Sequence, residues 1–210
     1  MTEQEPQTMS IRSRFMLMSI GWGSVGLVYF ATWSIQRQAA TLQETLLDRW
    51  ILYDPMGIWL YLSFFVLIPY TYLTVNEVRV RWLSRAMSLC AAFSGSIFLA
   101  FPTTLRYPTF GHTTLSEQVL QLLISADTSQ NCFPSLHAAL TLLCVWALLD
   151  VRNLKRSATA VVMGIGICYS IIQLRRHISI DLTAGLAAGL LCGWLCSTKF
   201  TYFRKNHEAS

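Results

Sequence analysis

Charge is scarce in this 210-residue chain. Asp, Glu, Lys and Arg together make up 13% of it, against 53% apolar residues. An average soluble protein carries about 25% charged residues. Too few are present here to coat a soluble surface, which excludes intrinsic disorder, collagen-like repeats and a basic nucleic-acid-binding tail. The chain also has no C-x-x-C, no His-x3-His and no cluster of carboxylates, so zinc, thioredoxin-like and metallohydrolase readings lack their ligands. Short alternating segments of the kind that build a membrane barrel are missing too. No small-residue cleavage site follows the first apolar run, which reads as a retained helix.

What is present is apolar sequence in long runs. Charge-free stretches cover Phe15–Gln36, Pro55–Asn76, Ala86–Leu105, Thr128–Leu149, Ser157–Leu174 and Leu182–Thr198. A spanning helix needs about 20 such residues, so the expectation is an all-α integral membrane bundle of six transmembrane helices. Residues 1–14 and 199–210 form cytoplasmic tails around one domain, 15–198. Five of the six cysteines (Cys90, Cys144, Cys168, Cys192 and Cys196) fall inside these runs and Cys132 near the end of one. They read as small packed hydrophobes.

The net charge of +5 does not form a nucleic-acid patch, because the basic residues sit in small groups between the runs. Such groups report topology. The N-terminus, the second loop, the fourth loop and the C-terminus hold eleven of the 16 Lys and Arg, and the other side holds Arg37, Arg49, Arg106, Arg175 and Arg176. The first side is therefore expected to be cytoplasmic, with both termini there, in a membrane such as the bacterial inner membrane. On the outer side, Thr41-Leu42-Gln43-Glu44 and Thr114-Leu115-Ser116-Glu117 have capping-box form. Each is expected to start a helix at its Thr, with Leu42, Leu46 and Trp50 on one face of the first and Leu115, Val119, Leu122 and Leu123 on the second. These faces lie on lipid or pack on the bundle. Gly185, Gly189 and Gly193 share a face of the last span, suited to a dimer seam or to close packing inside the bundle.

Ionisable residues at membrane depth are costly and point to function. His137 lies inside the fourth run. Arg175, Arg176, His177 and Asp181 stand between the fifth and sixth, and Arg106 ends the third. The topology delivers all of them to the outer face. Arginine forks match phosphate oxygens. One histidine can attack phosphorus while a second protonates the leaving oxygen, and an aspartate can fix a histidine's tautomer. This is a phosphoryl-transfer set that needs no metal and no cofactor. His112 and His207 stand alone and take no role.

Two motifs carry a resemblance. Pro134-Ser135-Leu136-His137 and His177-x3-Asp181-x3-Gly185 resemble the second and third motifs of the type 2 phosphatidic acid phosphatase superfamily, whose members are six-helix membrane enzymes. The first motif is matched only by Arg106-Tyr107-Pro108, with one residue inserted and no upstream lysine. The resemblance covers Arg106 to Gly189. It implies that His177 forms a phosphohistidine, that Asp181 orients it and that His137 protonates the leaving group. Ser135, Arg106 and an arginine near His177 would bind the phosphate. The arginine two residues before the histidine resembles the inositol-phosphorylceramide-synthase-like branch, which assigns that contact to Arg175 ahead of Arg176. The implied activity is a lipid-phosphate phosphatase acting on substrates such as phosphatidic acid, phosphatidylglycerophosphate or polyprenyl diphosphate. Two alternatives stay open: a phosphotransferase moving a phosphate-bearing headgroup between lipids, and a non-catalytic lipid-binding or transport bundle.

Overall fold

A computed structural model describes residues 9–35, 38–108, 111, 113–127 and 129–207, with the backbone alone for 126 and 198–207. Expectations that touch Gln36, Arg37, His112 and Thr128, the outermost residues of both tails, and the side chains of Lys199, Arg204, Lys205 and His207 lie outside these residues. The architecture is a helical bundle: α1 (Ile11–Ile35), α2 (Leu46–Trp50), α3 (Ile58–Thr74), α4 (Glu77–Ala100), α5 (Leu115–Ala126), α6 (Leu136–Leu148), α7 (Leu154–Gln173) and α8 (Ser179–His207). A 3-10 turn, Pro55–Gly57, leads into α3. Two short parallel strands, β1 (Ala40–Thr41) and β2 (Thr103–Thr104), tie the segments after α1 and α4 together.

Among the described residues, five helices are long and apolar enough to cross a membrane: α1, α3 with its leading turn, α4, α7 and α8 up to Ser197. The fourth expected span departs from this. Its helix covers only Leu136–Leu148, 13 residues, or about 20 Å at 1.5 Å per residue, short of the roughly 30 Å of a hydrocarbon core. Residues 129–135 run as a loop because other groups take their backbone bonds. Leu105 N–H donates to Ser129 O at 3.2 Å, and Ser135 N–H donates to the Asp181 carbonyl at 3.0 Å. Phe133 N–H donates to Thr103 Oγ1 at 3.0 Å. Asn131, with φ of 58°, adopts the left-handed conformation that asparagine tolerates. The Ser135 side chain then caps α6, accepting from Ala138 N–H at 3.3 Å. The third span also starts earlier than its charge-free run, at Glu77, so Arg79, Arg81 and Arg85 lie on the helix itself.

The first outer helix is corrected as well. Thr41 is in β1, paired with Thr104, so it cannot cap a helix. The helix starts after Thr45, whose N–H and hydroxyl donate to Asp48 Oδ2 at 2.7 and 2.8 Å. The second outer helix starts at Thr114 as the spacing predicts, with reciprocal bonds to Glu117. Its apolar residues divide between the two expected environments. Val119 and Leu123 pack on the core, whereas Leu115 and Leu122 are exposed.

The core joins α3, α4, α6, α7 and α8, with Tyr61, Ile68, Met87, Leu140, Leu143 and Ile167 fully buried. α1 lies along α4, where a Cβ at Gly95 would strike Val28. Gly185, Gly189 and Gly193 face α6: a Cβ there would meet the Ser135 carbonyl, the Ala139 backbone and Trp146 respectively. The glycine stripe thus packs within one chain. At the end of the bundle away from His177, arginines close helix C-termini. Arg14 Nη1 donates to Tyr72 O and Val75 O, both at 2.7 Å. Arg79 Nη1 donates to Ala147 O at 3.0 Å and Leu149 O at 2.6 Å. Carbonyls at a helix C-terminus are unsatisfied and partly negative, so cations are favourable there.

Candidate active site

The α7–α8 turn carries the densest chemistry. Arg176 N–H donates to Ile171 O at 3.0 Å, and Arg175 N–H donates to Ile172 O at 2.9 Å. This is the paired bonding of a Schellman turn, which needs a left-handed residue after the helix cap. Glycine normally fills that position; here Arg175 does, with φ of 54°. The reversal turns adjacent side chains in different directions and sets His177 at the entry to α8.

His177 Nδ1 lies 2.8 Å from Asp181 Oδ2. Asp181 Oδ1 accepts from Ile178 N–H at 2.7 Å and Leu182 N–H at 2.9 Å. Asp181 is 0% exposed and His177 7%. With Asp181 as a carboxylate, which can only accept, the Nδ1 of His177 is the donor of this bond. The unprotonated nitrogen of His177 is then Nε2. Asp48 fixes the same helix start from α2, with its Oδ1 accepting from Ser179 N–H at 2.7 Å.

His137 sits in the first turn of α6, its ring centroid 5.7 Å from that of His177. Its Nε2 and the Tyr61 hydroxyl are 2.7 Å apart, and Phe64 packs against the ring with centroids 4.8 Å apart. Both histidines line a cavity of about 320 Å³ between α1, α3, α5 and α6, whose other walls include Trp22, Val25, Phe64 and Leu123. Most of the lining is apolar, and His137, His177, Asp127, Asn131 and the hydroxyl-bearing Tyr29 and Tyr61 supply its polar groups.

Arg176 is 4% exposed and does not itself line the cavity, although its partner Asp127 does. It donates to Asp127 Oδ2, stacks over the Tyr107 ring at 4.5 Å and lies within electrostatic reach of His137. Burial, with Asp127 nearby, pushes the Tyr107 phenol up, so this ring stays neutral beneath the guanidinium. Asp127 Oδ1 in turn accepts from the Tyr29 hydroxyl at 2.8 Å. Among the described residues, Arg176 Nη1 is buried without a hydrogen-bond partner.

The site residues expected from sequence therefore divide. His137, His177, Asp181 and Arg176 come together. Ser135 is fully buried, caps α6 and does not line the cavity. Arg175 turns away: its guanidinium donates to Ile51 O at 2.9 Å and Ile172 O at 3.1 Å and pairs with Glu44 at 3.2 Å. Arg106 is exposed and lines a different cavity with Arg175. The preference for Arg175 over Arg176 at the histidines does not match this placement, because the left-handed turn sends Arg175 outward.

Sequence reasoning missed Asp127, Tyr29, Tyr61 and Asp48. Asp127 had a usable signal, being the one acidic residue between Glu117 and Asp150 and standing beside an apolar run. Among the described residues, no three His, Cys, Asp or Glu side chains converge as metal ligands would. The chain matches no known family model and no curated protein.

Proposed function

We propose that the protein is a membrane-embedded lipid-phosphate phosphatase working through a phosphohistidine. The observation that carries the reading is the geometry around His177. Its Nδ1 lies against a buried aspartate, which leaves Nε2 as the attacking nitrogen, beside a second histidine and a buried arginine whose Nη1 has no hydrogen-bond partner among the described residues. In this reading Nε2 attacks phosphorus, the P–O ester bond breaks, and His137 gives a proton to the departing oxygen. His137 then takes a proton from water, whose oxygen attacks phosphorus. The P–N bond breaks, and phosphate leaves with His177 restored. Arg176 Nη1 holds a phosphate oxygen throughout, where a preorganised cation stabilises developing negative charge. The apolar cavity takes the lipid tail. These roles agree with the type 2 phosphatidic acid phosphatase resemblance, with Arg176 in place of Arg175 and Arg106 at the phosphate.

The proposal includes α6 as a sixth, short membrane segment. Its loop 129–135 would sit at membrane depth, where irregular backbone is tolerated if buried in protein. Both termini would be cytoplasmic and the site extracytoplasmic, following the arginine distribution. The test is phosphate release from phosphatidic acid, phosphatidylglycerophosphate and polyprenyl diphosphate by purified protein with excess chelator. Release is expected from at least one of them. A product carrying the headgroup on an acceptor lipid would replace hydrolysis with transfer, and tight binding with neither product would leave a binding bundle.

A further inference from the structure

A second cavity, of about 340 Å³, lies on the other side of the α7–α8 turn from the histidines. Its lining includes Arg49, Arg106, Arg175, Glu44, Thr41 and Gln43. Three arginines face one glutamate, so its net charge is positive. The three differ in how they are held. Arg175 is fixed by Ile51 O, Ile172 O and Glu44, and so forms a rigid wall. Arg49 and Arg106 are exposed, and among the described residues neither makes an ion pair. The backing is solid: Leu105, Cys132 and Ile178 form a small buried cluster with Leu42 packed on it. A parallel strand pair carries Thr41 and leads into Leu105 and Arg106. Nothing assigned to the histidine centre uses these groups.

We infer that this cavity is a second phosphate-binding site, separate from the one at Arg176. Guanidinium forks recognise phosphate oxygens by charge and by bidentate geometry. A cavity with two uncommitted forks and one immobilised one suits a phosphate mono- or diester better than a carboxylate. The phosphate arrives on a lipid headgroup or as the free ion. The surroundings favour the headgroup: α2 carries Arg49 between Leu46, Leu47 and Trp50, all exposed, with Trp50 at 82%. Such a short apolar face beside a basic cavity anchors at the membrane interface, at headgroup depth. Ile178 lines this cavity and follows His177, so a headgroup held here lies next to the reaction centre without entering it.

The test uses the full chain in a neutral detergent and measures equilibrium binding of two probes, inorganic phosphate and dihexanoyl phosphatidic acid below its micelle concentration. The Arg49→Gln/Arg106→Gln variant changes only exposed side chains. The wild-type chain is expected to bind one more equivalent of probe than this variant, or that equivalent is weakened about tenfold or more by loss of its charge-assisted hydrogen bonds. If only the lipid probe shows the extra equivalent, the ligand is a headgroup; if both probes show it equally, the ligand is the free ion. Equal binding of both probes by wild type and variant overturns the site. Because the readout is binding, absence of turnover at the histidines leaves the result interpretable.

Discussion

Arg175 and Arg176 are neighbours in sequence whose guanidinium groups serve opposite sides of one turn. Arg176 is buried with Asp127 beside the histidines, while Arg175 reaches Ile51 and Glu44. The left-handed backbone at Arg175 causes the divergence. Arg176→Gln is expected to reduce activity far more than Arg175→Gln. It should also destabilise the fold, because it removes the buried guanidinium that neutralises Asp127. Thermal melts and turnover of both variants check this, and equal losses would show that the two arginines share one task.

Asp181→Asn keeps a carbonyl oxygen that can still accept from Ile178 and Leu182. Its amide then faces His177 Nδ1 as a donor, which favours the tautomer with the proton on Nε2. Turnover is expected to fall on the order of 10³–10⁴-fold with little change in substrate KM, as when a triad aspartate loses its tautomer control. A variant with undiminished turnover would remove Asp181 from the chemistry.

Gly185 touches the Ser135 carbonyl so closely that no Cβ fits. Gly185→Ala must push α8 from α6, which should cost about 1–3 kcal/mol and shift His137 relative to His177. Gly23 provides the contrast, since a Cβ there would meet nothing within 4 Å. Gly23→Ala should gain up to about 1 kcal/mol from helix propensity. Melting temperatures of the two variants should move in opposite directions.

Glu117 is held below the usual carboxylate range by the Thr114 backbone N–H, the Thr113 side chain and the Thr114 hydroxyl. A depressed folded value means that the stabilisation is present above the unfolded value of about 4.3 and is lost as pH falls through the folded one. Glu117→Ala should therefore melt below wild type at pH 7, and the difference should close as pH drops below about 4. A gap that persists in acid would mean that packing, not the charged capping box, fixes α5.

Much of this fold was legible because apolar run length and capping chemistry are local. Five runs became helices long enough to span, and Thr114 capped α5 through bonds to Glu117, three residues on. Where the outcome depended on distant partners, local patterns carried no signal. The loop before α6 exists because Thr103, Leu105 and Asp181 take its backbone bonds. Thr41 was lost to a strand because Thr104 pairs with it. At the candidate site, the His177–Asp181 pair was readable from i, i+4 spacing and His137 from its place inside an apolar run. The exchange of Arg176 for Arg175 was not, since it turns on one φ angle. Tyr61, Tyr29 and Asp48 bond to partners 76, 98 and 131 residues away, and nothing in their own neighbourhoods marks them.

In the proposed chemistry His177 carries the phosphoryl group. The most direct measurement is to mix the protein with a lipid phosphate labelled with ³²P, quench in base within milliseconds to seconds, and look for label on the chain. The expected result is a phosphoenzyme whose label survives base, is released by acid and is missing from His177→Ala, which also loses phosphate release. Undiminished release by His177→Ala, with no labelled chain in the wild-type protein, would contradict it.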